Sequence, residues 1–286
     1  MERTRVLVVG GGSRIASALA PRFGAAAVFV SRRASRRPTG LQVEDYGSIP
    51  DAAFEGVRCL VNCVGISEGS RDALTAVNVD TPCRIAAAAK AAGVPHMIHT
   101  SSFSVYGPAR RIDRATPIAP ASDYGRSKAA GDAGLLALAD ATFAVTILRL
   151  PLIYGVDSLG KLGQLLHLWH RTRVLPVPRA DIARAMISVD LAASVVAQLV
   201  GERPRNGVVF AADPRPFTYA DTLRARAGDL RLLRLPHAVT ALLERALPQI
   251  GSRLFMNSEL AEADNLAIHY GMASQLYRDI AAADLR

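Results

Sequence analysis

Short apolar runs recur along the first half of the chain, separated by longer stretches in which alanine and leucine return every three or four positions. The runs Arg5–Val9, Ala27–Val30, Leu41–Val43, Val57–Asn62, His96–Thr100 and Phe143–Arg149 predict strands. The stretches Ser13–Phe23, Ala73–Ala92 and Ser122–Leu138 predict helices. Val6-Leu7-Val8-Val9 is apolar without alternation, the pattern of a strand buried on both faces. Strands that alternate with helices in this way predict an α/β fold with a doubly wound parallel sheet over residues 1–150.

Beyond Tyr154-Gly155 the rhythm changes. Gly160–Arg171 predicts a helix, Leu175-Pro176-Val177-Pro178 a proline-punctuated link, Asp190–Val200 another helix and Val208–Phe210 one further strand. Thr218 has the chemistry of an N-cap for a helix starting at Tyr219-Ala220-Asp221. The remainder predicts helix broken at Pro236, Pro248 and Gly251. Residues 151–286 are therefore expected to form a smaller, mostly helical, discontinuous lobe with some segments returning to the main sheet.

Half of the residues are hydrophobic and 21% are charged, enough apolar material for an ordinary globular core. The net charge of +9 is spread along the chain and only 6% of residues are aromatic, which argues against a nucleic-acid surface. A polyanionic substrate, a phosphorylated cofactor or an arginine-rich composition accounts for the charge. No apolar run reaches the ~18 residues of a membrane span. The run at the amino terminus is too short for a signal segment, so a cytoplasmic location is expected. Cys59, Cys63 and Cys83 are odd in number and lie in one apolar region, as expected of buried thiols. Neither a disulfide nor a metal site is expected from them.

The chemistry concentrates in four places. Gly10-Gly11-Gly12-Ser13-Arg14-Ile15 follows the first strand and opens the first helix, the arrangement that brings backbone and a helix N-terminus to a pyrophosphate. After the second strand stand Ser31, Arg32 and Arg33, with no acid between Phe23 and Gln42. With Arg14 they form a candidate cradle for a 2′-phosphate and favour NADP over NAD; an exposed basic loop continued by Arg36 and Arg37 is the plainer reading. Asp45-Tyr46 suits either an adenine contact or a turn begun by aspartate. Asn62 and Gly65 end the fourth strand, where such a sheet opens its crevice, and Asn78 in the next helix has a plain reading as a polar surface residue. Finally, Thr100-Ser101-Ser102-Phe103-Ser104-Val105-Tyr106-Gly107 is a hydroxyl-rich strand end, followed by Tyr124 and Lys128, four positions apart on one helix face. A lysine ammonium beside a phenol favours the phenolate. His167 and His170, flanking Trp169, read as partly exposed helix residues.

Together these residues resemble the extended short-chain dehydrogenase/reductase family, in its NAD(P)-dependent epimerase/dehydratase branch. The parts that carry the resemblance are Ser101-Ser102-Phe103-Ser104-Val105-Tyr106-Gly107, Tyr124-x3-Lys128 with Ser127, and Arg149-Leu-Pro-Leu-Ile-Tyr154-Gly155. Gly160–Pro178 with Ile187–Leu191 is similar, more loosely, to the sugar-modifying members of bacterial polysaccharide pathways. The resemblance implies a Rossmann-type fold with Tyr124 as general acid/base. Lys128 would lower the Tyr124 pKa and hold the nicotinamide ribose, and Ser102 would bond the same substrate oxygen. It also implies Thr100 among the cofactor-binding residues, Pro151 beside the nicotinamide, and a substrate set of Ser102, Ser104, Tyr124, Leu152 and Arg184. The implied substrate is a sugar nucleotide, and the implied assembly a homodimer through the helices near 73–92 and 122–138.

Three departures from the family pattern bear on substrate and cofactor. The glycine pattern of the first turn meets Gly10, Ser13 and Ala16, so two glycines are replaced. Leu152 stands where many nucleotide-sugar members carry asparagine. The acid expected after the second strand is missing. The second half of the chain thus reads as epimerase-like and the cofactor loop as reductase-like.

Overall fold

The computed structural model describes residues 5–33, 39–155, 174–178, 182–221, 231–236, 239 and 258–278. In chain order its main elements are β1 (Arg5–Val9), α1 (Arg14–Phe23), β2 (Ala27–Ser31), β3 (Gly40–Gln42), β4 (Val57–Asn62), α2 (Arg71–Thr75), α3 (Thr81–Ala91), β5 (His96–Ser102), β6 (Arg111–Ile112) and α4 (Asp123–Ala137). There follow β7 (Ala144–Leu150), β8 (Leu152–Tyr154), β9 (Val174–Pro178), β10 (Met186–Ser188), α5 (Val189–Gly201), β11 (Gly207–Phe210), β12 (Arg231–Leu235) and β13 (Glu259–Leu260).

Seven strands form one parallel sheet in the order β11-β7-β5-β4-β1-β2-β3. The order reverses between β1 and β4, the place where doubly wound sheets open a ligand crevice. The non-alternating apolar strands are buried as their pattern predicts: Val6, Leu7, Val8 and Val9 are each no more than 1% exposed. Leu7, Leu60, Ile85, Met97, Leu135 and Ile147 join in one apolar core.

The chain divides into two compact units. The first comprises residues 1–107, 118–150 and 192–210, and so takes in all seven strands of the large sheet; the second comprises 108–117, 151–191 and 211–286. In the second unit, β8 pairs with β10, β9 with β12 and β6 with β13, each pair parallel. Among the described residues no helix is long and apolar enough to cross a membrane.

The structure departs from the sequence expectation in three elements. The link at Leu175–Pro178 is strand, paired with Arg231–Leu235, a segment that was expected to be helical. Proline is tolerated in such a ladder because an edge strand leaves one row of N–H positions without a strand partner. The single helix expected over Ala73–Ala92 is instead α2, a π-helical turn at Ala76–Asp80 and α3. Leu152–Tyr154, just before the point where the rhythm changes, is a short strand. The expected helix at Gly160–Arg171, with His167, Trp169 and His170, lies outside the described residues, as do Arg36, Arg37, Pro248 and Gly251. The Thr218 cap is present, its Oγ1 accepting from the Asp221 N–H at 3.0 Å.

Candidate active site

The glycine turn ties three strands together. Gly10 and Gly11 both donate to the Val30 carbonyl (3.1 and 2.8 Å), and Cys63 donates to the Val9 carbonyl (2.8 Å). Gly10 has φ +86°, and a Cβ there would lie 2.8 Å from the Cys63 carbonyl carbon. Any other residue would strain the turn and separate β1 from β4 at the point where the strand order reverses. A Cβ on Gly12 would meet nothing within 4 Å. Ser13 caps α1, its Oγ accepting from the Ala16 N–H at 3.2 Å. Open space over Gly12, next to a capped helix start, fits the pyrophosphate of a dinucleotide. The replacement of glycine by Ser13 therefore supplies a cap, and Ala16 is fully buried. Arg14 is the exposed first residue of α1 and Ile15 is buried behind it.

At the end of β2, the buried Ser31 hydroxyl donates to the Arg33 carbonyl at 2.6 Å and so shapes the arginine turn. The Arg32 guanidinium lies over the Tyr46 ring, 5.6 Å from its centroid. Asp45 accepts from the Ser48 N–H at its carbonyl (3.1 Å), while its carboxylate pairs with Arg84 of α3 at 3.5 Å. Gly65 sits so close to Asn78 that a Cβ would meet the Asn78 Oδ1 at 3.3 Å.

The strand end that carries the serines turns at once into a 3-10 helix, Phe103–Tyr106. Ser102 caps it: its Oγ accepts from the Ser104 N–H and donates to the Ser104 Oγ, both at 3.1 Å. Ser122 caps α4 in the same manner, accepting from the Gly125 N–H at 3.0 Å. A Cβ on Gly125 would collide with the Ser104 carbonyl, so glycine lets the first turn of α4 press against the serine turn. Tyr124, half-buried, is the neighbouring residue on that turn.

Tyr124, Lys128 and Asp132 follow one another at four-residue spacing along α4. Lys128 is 3% exposed. Its Nζ donates to the Thr100 carbonyl at 2.9 Å and lies 2.9 Å from His99 Nε2. Burial lowers the Lys128 pKa to about 8, against the pull of Asp132 and Cys63. Asp132 pairs with Arg149 of β7 (Oδ2–Nε 2.9 Å), and Arg149 also donates to the Tyr106 hydroxyl at 2.6 Å. Burial raises the Asp132 pKa, opposed by Lys128 and Arg149. Burial pushes the Cys63 thiol up to about 12, so it stays protonated near neutrality. All three cysteines are free, Cys59 and Cys63 buried and Cys83 half-buried.

Asn78 corrects the expectation of a surface residue. It is fully buried within the π-helical turn, accepting from the Ile66 N–H (3.0 Å) and donating to the Ile66 carbonyl (2.9 Å) and the Ser127 Oγ (3.0 Å). It therefore clamps the loop after β4 to the residue next to Lys128, and the extra residue of the π turn aims its side chain inward. Asp132, Arg149 and His99 were also missed as site residues. The first was readable from its i, i+4 spacing to Lys128, and His99 from being a polar residue inside an apolar strand.

The large sheet thus gathers Gly10 to Ile15, Asn62, Gly65, Thr100, Ser102, Ser104, Tyr124 and Lys128 within one unit. Pro151, Leu152 and Arg184 belong to the second unit. There Leu152 pairs with Met186, and Arg184 forms an antiparallel bridge with Phe217.

The chain is similar in fold to MoeE5 in complex with UDP-glucuronic acid and NAD (18% identity, 98% of this chain and 97% of that one, TM-score 0.73). It is likewise similar to UDP-glucuronic acid 4-epimerase of Bacillus cereus in complex with NAD (13%, 98% and 97%, TM-score 0.74). A third such structure is WbmH of Bordetella bronchiseptica in complex with NAD+ (17%, 98% and 97%, TM-score 0.70). At these identities the likeness establishes the fold. Among curated proteins, "Sterol demethylase protein B" of Methylococcus capsulatus is 31% identical over 159 residues, 50% of this chain; the match spans about half of that relative (48%). The sequence model of the NAD dependent epimerase/dehydratase family matches residues 6–172, more than half of the chain. The chain belongs to the NAD dependent epimerase/dehydratase family.

Proposed function

We propose that the protein is a cytoplasmic NAD(P)-dependent oxidoreductase acting on a hydroxyl or ketone of a sugar nucleotide, as an epimerase or a 4-ketoreductase. The observation that carries this reading is the placement of Lys128. It is buried under the Thr100 carbonyl, one turn beyond Tyr124, on a helix packed against the Ser102–Ser104 turn. Tyr124 exchanges the proton of the reacting oxygen, and Lys128 sets how readily it does so. Ser102 accepts from the Ser104 N–H and donates to the Ser104 Oγ, so a substrate oxygen would take over that hydrogen from the Ser104 hydroxyl. The Gly10–Ile15 turn and Lys128 would hold a nicotinamide dinucleotide, which when bound would supply the hydride chemistry at the substrate carbon.

NADP over NAD is supported by Ser31, Arg32 and Arg33 and by the missing acid on that turn, although the solved structures named above hold NAD. Arg32→Ala together with Arg33→Ala is expected to weaken NADP binding by roughly tenfold or more and leave NAD affinity little changed. Equal loss for both dinucleotides, measured by titration, sinks the preference. A homodimer is supported by alanines exposed on both α3 and α4, such as Ala88 and Ala133. A monomer in sedimentation at micromolar concentration ends that idea.

A second reading, an NADPH-dependent reductase of a non-sugar carbonyl compound, is favoured by two observations. Leu152 is apolar where many nucleotide-sugar members carry asparagine, and the curated relative is named for sterol chemistry. A panel of UDP-sugars and non-sugar alcohols and ketones, run with both dinucleotides, decides between them. Turnover confined to the non-sugar compounds selects the second.

A further inference from the structure

The sheet brings into the site one titratable residue that the acid/base reading leaves unused. His99 on β5 lies in register with Asn62 on β4. Its Nδ1 is 3.0 Å from Asn62 Nδ2, and its Nε2 is 2.9 Å from Lys128 Nζ. The direction of every hydrogen bond in this row follows from its far end. The Val64 backbone N–H can only donate, and it donates to Asn62 Oδ1 at 3.0 Å. The other end of the amide is then an NH2 group, so His99 Nδ1 must accept from it. Burial, and secondarily Lys128, hold the His99 pKa well below its usual value, so the ring is neutral and carries one hydrogen. That hydrogen is on Nε2 and points at Lys128. An N–H needs an acceptor there, and a lysine offers a lone pair only as the neutral amine.

The geometry points to His99 and Asn62 as positioning residues that favour the neutral, hydrogen-bond-accepting form of Lys128 over its ammonium. Protonating Lys128 would require Nε2 to accept, which moves the ring hydrogen to Nδ1, against the Asn62 NH2. Rotating the amide would relieve that clash but set an NH2 against the Val64 N–H. In either arrangement one buried hydrogen bond is lost. The other groups around Lys128 are Asp132 and Tyr124 on α4 and Cys63 after β4, with Arg149 of β7 on the far side of Asp132. Asp132 and Cys63 favour the ammonium, and burial opposes it. Lys128 is accordingly poised to gain and lose a proton near neutral pH, instead of being a permanent cation. The catalytic consequence rests on the acid/base role proposed above; the protonation state does not.

The test reads the purified chain without substrate. Imidazole 15N spectra, assigned with a His99→Gln variant, are expected to show His99 as the Nε2–H tautomer, and 13Cε spectra of Lys128 a titration near pH 8. Asn62→Asp offers Nδ1 an acceptor; it should reverse the tautomer and raise the Lys128 pKa by about one unit or more. With turnover, the alkaline limb of the kcat/KM profile should move up by the same interval. An Nδ1–H tautomer in the unaltered protein, or Lys128 titrating near ~10.4, overturns the inference even if the aspartate variant fails to fold. Should the tautomer and titration hold while Tyr124→Phe keeps full activity, the acid/base reading falls and the positioning of Lys128 stands.

Discussion

Lys128 is a liability to the fold and an asset to the site. Its pKa falls from 10.5 to about 8 on burial. Between those values the unfolded chain holds a proton that the folded chain has released, so stability rises with pH through that window. The penalty is fully present below pH 8 and amounts to on the order of 3 kcal/mol. Lys128→Met is therefore expected to raise the melting temperature at pH 7 while abolishing turnover; a lowered melting temperature contradicts the burial argument. Tyr124→Phe leaves the ring in place and should lower kcat by roughly 10²–10⁴, the usual effect of removing a positioned acid/base. Near-normal turnover on the preferred substrate removes Tyr124 from the mechanism. The spacing of these two residues was legible in the chain because a helix places i and i+4 on one face. His99 showed in the chain only as a polar residue inside an apolar strand; its role was not legible, because that depends on which strand lies beside β5.

Helix α4 is held by glycines on the faces it presents to its neighbours. A Cβ on Gly125 would collide with the Ser104 carbonyl, and one on Gly131 with the Asn78 carbonyl. At these two positions the small residues of this helix serve close packing inside the chain. Gly125→Ala and Gly131→Ala should each cost about 1–3 kcal/mol through overpacking. Only the first pushes on the serine turn, so it should depress kcat more than Gly131→Ala does at equal loss of stability; chemical denaturation and steady-state rates on both variants check this. Helix boundaries such as Ser122 before Asp123 were readable from capping chemistry. The π-helical turn was not, because the inward turn of Asn78 answers to Ile66 and Ser127, distant in sequence.

For the molecule as a whole, the buried bases share one sign. Burial lowers the His96 pKa to about 4, with Arg205 adding to it, and His99 is lowered as well. Asp113, Asp123 and Asp140 are held low mainly by side-chain hydrogen bonds from Thr116, Arg126 and Lys90, while Asp132 is raised and opposes them. For His96 the unfolded chain takes up a proton below 6.5 that the folded chain refuses. Stability should therefore fall as pH drops from 6.5 through about 4, by on the order of 3 kcal/mol from this residue. Melting curves across that range should show the slope, and His96→Gln should flatten it. The parallel sheet was legible in the sequence, because uninterrupted apolar strands between amphipathic helices have few other ways to bury themselves. The glycine turn, the serine strand end and Tyr124-x3-Lys128 were legible too, since each is a local arrangement of neighbours in sequence. What folding alone decided is how these pieces meet. Strand order set Gly10 against Cys63, strand register set Asn62 beside His99, and helix packing drove Lys128 under the Thr100 carbonyl. Each of these joins residues far apart in the chain, and no local pattern records which of them will become neighbours.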